Sequence, residues 1–208
     1  NYRDLLYNQT SSSYTIKFSE ISYDQNNQCA NIIPGQEDLT LIKSRIVKNP
    51  IHISKIIEVE GQKVGYLMYN QFVGVVESEG KDYNSELNNV FSNFLSNGIN
   101  DLVVDLRYNP GGRISTSINL ASMITGQFNN QVFAKERWNS KLMNYWDENN
   151  PESLLNRFTN KLSNNQSIFS LNLDRVYILT SARTASASEL LINGLDPYIN
   201  VIHIGAVS

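Results

Sequence analysis

Hydrophobic and polar residues alternate along the amino-terminal part of the chain. Tyr14, Ile16 and Phe18 alternate with polar residues, and this period of two predicts a half-buried strand over residues 14–21. A second apolar stretch predicts another strand over residues 39–47. This part of the chain therefore reads as β structure.

The other segments before residue 50 add little that could be buried. Residues 2–7 have the composition of the end of a short helix, and the polar residues 24–31 predict a loop. Pro50 marks a boundary, because proline interrupts regular structure. Two strands and part of a helix are too few to enclose a core. We therefore interpret residues 1–50 as part of a larger module.

From about residue 55 the pattern changes to strands that alternate with helices. Short apolar runs predict strands over residues 64–69, 102–106, 131–138, 175–180 and 201–205. Apolar residues at helical spacing predict helices over residues 85–97, 114–124 and 186–195. Asn84 or Ser85 is the predicted cap of the first helix, and Gly98 its end. Residues 139–166 are polar and aromatic and are predicted to be helix or loop.

This alternation predicts an α/β fold. Strands separated by helices form right-handed crossovers and a mainly parallel sheet with flanking helices. We assign residues 51–208 to this second domain. In such sheets, binding sites gather at the carboxyl ends of the strands. Functional residues are therefore expected in the segments that follow the strands.

Composition excludes several classes of function. The formal net charge is −3 and the charges are mixed along the chain, which argues against nucleic-acid binding. Cys29 is the one cysteine, so neither an internal disulfide nor a cysteine-based zinc site is expected. No apolar run approaches the roughly 20 residues of a membrane span. Neither a cofactor nor a metal ion is predicted.

One strand end carries the sequence Asn109-Pro110-Gly111-Gly112. The glycines let the chain turn with its amides uncovered, and the turn opens into a helix whose dipole favours anions. This arrangement predicts a cradle for an oxyanion or a phosphate. From the pair of glycines alone, however, a tight strand-to-helix turn that binds no ligand is the favoured interpretation.

A second strand end is followed by Thr184-Ala185-Ser186-Ala187-Ser188-Glu189. A serine at a helix start has its hydroxyl at the positive end of the helix dipole, which favours an alkoxide. The alternative is a capping box, in which Ser186 and Glu189 satisfy the first amides of the helix. Taken alone, the segment favours the capping box.

Together, the two segments resemble one enzyme family. Residues 105–112, Asp-Leu-Arg-Tyr-Asn-Pro-Gly-Gly, are similar to the DLR-x-N-x-GG signature of the carboxyl-terminal processing (tail-specific) peptidases, and residues 184–189 are similar to their TASASE motif. The resemblance extends from about residue 60 to the end. It implies a serine endopeptidase with a crotonase-like or ClpP-like core, and it suggests that residues 1–50 are the rear part of a PDZ-like module.

The resemblance also implies roles for individual residues. Ser186 would be the nucleophile, the amides of Gly112 and Ala187 would form the oxyanion hole, and Gly111 and Glu189 would support them. The expected partners are proteins and peptides bound by their carboxyl-terminal tails. The family works mostly outside the bacterial cytoplasm or in plastids, so the resemblance implies export to the periplasm or cell envelope, and it is compatible with a homo-oligomer.

The family's mechanism is a Ser–Lys dyad, in which a lysine of lowered pKa is the general base. That lysine would follow the strand after the nucleophile helix, but no lysine lies between Ser186 and Ser208. Lys141 and Lys161 precede the serine, lie in an apparent insertion and match no family position. The expectation is a sequence that continues beyond Ser208, and the alternative is an inactive peptide-binding relative.

Two further classes of function are compatible with parts of the pattern. A Ser-His-Asp hydrolase would pair Ser186 with His203 or His52, but the sequence lacks a G-x-S-x-G elbow and His203 lies within an apolar strand. An acyl-CoA enzyme of the crotonase type also uses paired amides at strand ends. The serine motif argues against this last class.

Overall fold

The computed structural model describes residues 11–23, 30–44 and 48–206. It divides into two compact units, Asn1–Lys48 and Asn49–Ser208. Each unit is considered separately below.

The first unit contains an antiparallel pair, β1 (Ser13–Tyr23) and β2 (Ala30–Ile42). The strand predicted over residues 14–21 is confirmed. Phe18, however, is 64% exposed, so the prediction that it is half-buried is wrong. The register shifts between Lys17 and Ser19, which interrupts the alternation that the sequence suggested.

The second predicted strand begins earlier than its apolar residues indicate. β2 starts at Ala30 and ends at Ile42, so Ala30 and Asn31 belong to a strand rather than to the predicted loop. Residues 24–29 and 45–47, and the helix predicted over residues 2–7, lie outside the described residues. The assignment of residues 1–50 to a PDZ-like module stays a prediction.

The second unit is a mixed α/β domain. Its strands are β3 (Ile51–Val59), β4 (Gln62–Tyr69), β5 (Val75–Val76), β6 (Lys81–Asp82), β7 (Asp101–Asp105), β8 (Val132–Lys135), β9 (Leu155–Arg157), β10 (Arg175–Thr180) and β11 (Asn200–Gly205). Its α-helices are α1 (Tyr83–Asn97), α2 (Ile114–Ile124), α3 (Ser140–Asn149) and α4 (Ala187–Leu195), and two short 3₁₀ turns cover Glu77–Glu79 and Pro151–Leu154.

A five-stranded sheet organises this unit, in the order β11-β10-β7-β4-β3. β4, β7, β10 and β11 are parallel and β3 pairs antiparallel at the edge, so the predicted mainly parallel sheet is confirmed. The parallel strands follow one another in chain order across the sheet. Right-handed crossovers in one direction place α1, α2 and α4 on the same face, and α2 packs against both α1 and α4.

The core lies between the sheet and these helices. Alternate residues of each central strand are fully buried there, because successive side chains of a strand point to opposite faces. These core residues of the sheet are Leu67, Tyr69, Leu102, Val104, Val176 and Ile178. The strands are thereby fixed in register, and so are the ends from which the loops emerge.

The N-cap of helix α1 lies two to three residues before the predicted cap. Asp82, rather than Asn84 or Ser85, is the N-cap, because its Oδ1 accepts hydrogen bonds from the amides of both residues at 3.1 and 3.2 Å. Gly98 ends the helix in a left-handed conformation, as predicted. Helix α2 has the predicted bounds.

Four strands were not predicted: β3, β9 and the two-residue strands β5 and β6. β3 is an edge strand with mostly exposed residues, so it lacks the apolar run that revealed the central strands. β9 is a three-residue strand within residues 139–166, which also contain α3. Among the described residues, no helix combines the length and the apolar character needed to cross a membrane.

Candidate active site

Two loops leave neighbouring strands at the same edge of the sheet. β7 and β10 are parallel partners, so their carboxyl ends lie side by side. The β7 loop (residues 106–113) leads into α2, and the β10 loop (residues 181–186) leads into α4. At their start, the amide of Leu106 donates to the carbonyl of Leu179 at 2.9 Å. The sheet therefore sets the spacing between the two loops.

Asn109 is the centre of the β7 loop and is fully buried. Its Nδ2 donates to the carbonyl of Tyr69 at 2.9 Å, and its Oδ1 accepts from the amide of Gly111 at 2.8 Å. Its own carbonyl accepts from the amide of Ala185 at 3.3 Å and from the hydroxyl of Ser188 at 3.2 Å. One side chain and one carbonyl thus connect β4, the β7 loop and the β10 loop.

Hydroxyl groups of the β10 loop make further bonds to the β7 loop. Thr184 is buried and its Oγ1 donates to the carbonyl of Leu106 at 2.8 Å, while it accepts from the amide of Ser181 at 3.0 Å. The hydroxyl of Ser181 donates to the carbonyl of Arg107. Buried polar groups that are all paired hold loops rigidly. The two loops therefore behave as one surface.

Ser186 occupies the N-cap of α4 and is exposed. Its backbone has φ 58° and ψ −116°, a conformation that residues with a side chain seldom adopt. Its amide donates to Oε2 of Glu189 at 2.6 Å, which is the half of the predicted capping box that Glu189 provides. The other half, in which the Ser186 side chain accepts from the backbone of Glu189, completes the predicted capping box.

Gly111 packs directly against this serine. A Cβ added to Gly111 would lie 2.6 Å from the Cβ of Ser186, 2.7 Å from the carbonyl oxygen of Ala185 and 2.9 Å from the amide nitrogen of Ala187. No side chain fits in this space. The backbone of the β7 loop consequently lies against the backbone of residues 185–187.

Gly112 is held on its other side by the loop that follows β4. The amide of Phe72 donates to the carbonyl of Gly111 at 2.9 Å, and the amide of Arg113 donates to the carbonyl of Phe72 at 2.8 Å. A Cβ on Gly112 would lie 2.2 Å from that carbonyl oxygen, and φ is 142°. A glycine is therefore required here by both space and conformation.

The amides of the two loops differ in their hydrogen bonds. The amide of Gly111 is occupied by Asn109. Within residues 48–206, no acceptor is assigned to the amides of Gly112 and Ala187. Gly112 directly follows Gly111 in the sequence and Ala187 directly follows Ser186, and Gly111 and Ser186 are in contact. Two uncommitted amides beside an exposed hydroxyl can stabilise an oxyanion that forms on a carbonyl group.

A charged pair lies at the start of the β7 loop. The buried carboxylate of Asp105 accepts from Nη2 of Arg107 at 2.7 Å and from the hydroxyl of Tyr66 at 2.7 Å. Burial alone would raise the pKa of Asp105, but the hydrogen bonds from Arg107 and Tyr66 outweigh it and hold this pKa below its ordinary value. Burial and the bond to the carboxylate raise the pKa of Tyr66.

The histidines and lysines considered above take no part in the hydrogen bonds described between the two loops. His52 and His203 lie on the two edge strands, and Nε2 of His203 is 2.5 Å from the hydroxyl of Thr180. Lys141 and Lys161 are exposed, and none of the hydrogen bonds described for Ser186 involves them. The described residues contain no group of three or more potential metal ligands.

The structure brings Ser186, Ala187, Gly111 and Glu189 together, with Gly112 next to them along the β7 loop; their catalytic roles stay predictions. Sequence reasoning missed the parts that hold them in place, above all Asn109. Asn109 belongs to the signature that carried the resemblance, so a signal was present. Its function follows only from contacts with residues distant in the sequence.

Comparison with known proteins places these loops in a family. The model of peptidase family S41 matches residues 63–207. A Bacteroides fragilis NCTC 9343 protein assigned to the S41 proteases is 32% identical, with a TM-score of 0.66 over 94% of this chain and 48% of its own. The photosystem II D1 C-terminal processing protease shares the fold at 16% identity, with a TM-score of 0.51 over 80% of this chain and 39% of its own.

The chain spans about half the length of the Bacteroides protein that it matches. Among curated proteins, none matches it. The β7 and β10 loops lie entirely within the segment that the family model covers.

Proposed function

The chain belongs to peptidase family S41, and on this premise we propose that it forms the nucleophile-bearing part of a serine endopeptidase. One observation supports this proposal above the others. The exposed hydroxyl of Ser186 lies at a strained helix start, beside the uncommitted amides of Ala187 and Gly112. Nucleophile and oxyanion donors are the two components that acyl transfer needs in fixed positions.

In the proposed reaction, Oγ of Ser186 attacks the carbonyl carbon of a peptide bond while a general base accepts its proton. The carbonyl oxygen becomes an oxyanion that accepts hydrogen bonds from the amides of Gly112 and Ala187. The intermediate then expels the protonated amine and leaves an acyl-enzyme. The general base supplied the proton that left with the amine. It then takes a proton from water as the water attacks the ester, and it passes this proton to Oγ of Ser186 as the acid product leaves.

Gly111 and Glu189 support this reaction by position. Gly111 lets the two backbones approach, and its own amide is occupied by Asn109, so the second oxyanion donor is Gly112. Glu189 accepts from the amide of Ser186 and so orients the peptide bond that carries the nucleophile. Neither residue takes part in the transfer of protons.

The base and the substrates belong to the proposal as well. The family resemblance implies a lysine base, protein substrates with unstructured carboxyl-terminal tails, a PDZ-like module before the core and an exported location. Residues 187–208 contain no lysine, so the test uses the complete natural gene product. The inactive peptide-binding relative is the alternative that the same test distinguishes.

The test combines chemical labelling with cleavage. A fluorophosphonate should react at Ser186 with loss of fluoride, and mass spectrometry of the peptides should locate the adduct there. Cleavage of an unstructured tail-tagged protein should fall by at least about 10³-fold in Ser186→Ala, because a nucleophile is lost. Ser163→Ala removes an exposed hydroxyl far along the sequence from both loops and should retain activity.

Each outcome has a distinct meaning. Cleavage that survives in Ser186→Ala would refute the assignment of the nucleophile. A folded wild-type protein that binds the tail but neither reacts with the fluorophosphonate nor cleaves the tail would be the inactive relative.

A further inference from the structure

An open depression lies between the first halves of the two loops, of which the β10 loop ends at Ser186. Its volume is about 290 Å³, and it is lined by Arg107, Tyr108, Ser181, Ala182 and Arg183. The β7 loop contributes the first two of these residues and the β10 loop the other three. We call this feature the arginine depression.

Both loops line the arginine depression, and Ser186 lies at the end of the β10 loop. The bonds from Ala185 and Thr184 to the carbonyls of Asn109 and Leu106 separate them. Arg183 and Ser186 are three positions apart in the chain, so their Cα atoms lie at most about 11 Å from each other. An extended peptide rises about 3.3 Å per residue, so about three residues of a bound substrate bridge this distance.

The two arginines differ in their charge balance. Nε and Nη2 of Arg107 are bonded to the carboxylate of Asp105, which neutralises this guanidinium. Arg183 is exposed, and no carboxylate of residues 11–23, 30–44 and 48–206 lies within ion-pair distance of it. The depression therefore carries an uncompensated positive charge at Arg183.

The walls of the depression also suit one end of a peptide. Tyr108 is 56% exposed and offers an aromatic surface, while Ala182 adds a small apolar one. The hydroxyl of Ser181 donates to the carbonyl of Arg107 and accepts from the amide of Arg183 at 3.2 Å, so it keeps the loop in shape. The guanidinium of Arg183 remains available for a planar anion.

We propose that the arginine depression binds a carboxylate of the substrate peptide, about three residues from the bond that Ser186 attacks, with Arg183 as the anchoring cation. This inference rests on the proposed function, because it takes Ser186 as the position of the reacting bond. Arginine binds carboxylates through paired N–H donors, which fixes direction as well as position. The anchor would select where along a tail the chain is cut.

The test measures binding without turnover. The ¹⁵N-labelled protein carrying Ser186→Ala is titrated with three acetylated tetrapeptides, and amide shifts are followed by NMR. Acetyl-Ala-Ala-Glu-Ala-amide has only a side-chain carboxylate, acetyl-Ala-Ala-Gln-Ala only a terminal carboxylate, and acetyl-Ala-Ala-Gln-Ala-amide has neither. At least one charged peptide should shift the signals of Tyr108, Ser181 and Arg183, and the one that does so identifies the source of the carboxylate.

Arg183→Gln should weaken binding of that peptide by roughly fivefold, the size expected for a partly exposed charge pair. Arg183→Lys should restore part of the loss, because it keeps the charge but not the fork. Arg137→Gln is the matched control, since it removes the same charge from an exposed arginine that has no ion pair among the described residues. Added salt should weaken binding of the charged peptide and not of the neutral one.

Equal shifts with the neutral peptide, absent shifts with all three, or equal affinities in Arg183→Gln and Arg137→Gln would each overturn the proposal. The proposed function is tested by a different experiment, which measures cleavage and labelling at Ser186 rather than peptide binding. A protein that binds the carboxylate peptide but cleaves no substrate would support carboxylate binding by Arg183 and refute the proposed peptidase activity.

Discussion

The two loops of the candidate site reach the same place by opposite means. The β7 loop adopts its path because Gly111 and Gly112 tolerate positive φ angles and close contacts, and because Asn109 satisfies its polar groups. The β10 loop instead holds a serine at φ 58° and braces it from neighbouring elements. One loop is relaxed where it is shaped by glycine, and the other stores strain where it presents a hydroxyl.

This difference separates positions that determine the path of the backbone from the position that presents a hydroxyl group. In the β7 loop, the absence of side chains brings its backbone against the serine and leaves the Gly112 amide uncommitted. In the β10 loop, a side chain is kept despite its backbone cost. Conformational strain at a reactive residue persists only where the surroundings fix it, which the bonds between the loops do.

The largest effect is expected from a side chain in the β7 loop. Gly112→Ala places a Cβ 2.2 Å from the carbonyl oxygen of Phe72 at a φ of 142°. Overpacking and strain together should lower the free energy of unfolding by roughly 3–5 kcal/mol. Urea unfolding followed by circular dichroism measures the loss.

Gly61→Ala is the matched control for this substitution. Gly61 also has a positive φ, 77°, but nothing lies within 4 Å of its added Cβ. The loss there should be only about 1 kcal/mol, from strain alone. Equal losses at the two glycines would mean that the close approach to Phe72 does not constrain the loop.

An intermediate effect is expected at the start of the same loop, and it depends on pH. The folded pKa of Asp105 lies below its unfolded value, so its ionised form stabilises the native state at neutral pH. Asp105→Asn should lower the free energy of unfolding at pH 7 by about 2 kcal/mol, because charged hydrogen bonds from Arg107 and Tyr66 are lost.

The sign of the pH dependence follows from the same pKa. The contribution of Asp105 is complete above the unfolded pKa of about 4 and is lost as the pH falls through the lower folded pKa. Urea unfolding between neutral and acidic pH should therefore show wild type and Asp105→Asn converging in acid. Asp147→Asn, at an exposed site on α3, should run parallel to wild type. A constant difference for Asp105→Asn would contradict the prediction.

The smallest effect is expected in the β10 loop, and its sign is unusual. Ser186→Gly should be more stable than Ser186→Ala by about 1 kcal/mol, because glycine relieves the strain at φ 58°. Thermal or urea unfolding of the two variants measures the difference. At Ser96, in the last turn of α1, the order should reverse, since alanine is the better helix former there. The same order at both serines would mean that Ser186 is not strained.

The sequence predicted the sheet and the two strand ends well because both depend on local patterns. Residues 102–106 and 175–180 are apolar runs that only a covered strand explains, and the turn chemistry of Gly111 and Gly112 is visible in the sequence. The exposed edge strand β3 has no such pattern, so it was missed. The cap at Asp82 was missed because several polar residues before α1 are equally suitable by type.

The geometry of the site depended on contacts that no local pattern encodes. Asn109 reaches Tyr69, and Thr184 reaches Leu106, across long stretches of chain. The bond from the amide of Gly111 to Asn109 is local, but the positive φ of Ser186 was not visible from residue type. The motifs indicated the candidate residues. The tertiary structure is needed to show that, within residues 48–206, the amides of Gly112 and Ala187 have no assigned acceptor.

The bonds of Asn109 also determine when the site can exist. Its side chain contacts a carbonyl 40 residues earlier, and its carbonyl binds a hydroxyl 79 residues later. Contacts of such sequence separation form late in folding, after the loops between them have closed. A nascent chain that has not yet added β10 and α4 has neither the serine nor the brace that shapes the cradle. The order of synthesis therefore delays the assembly of the two loops until β10 and α4 have been added.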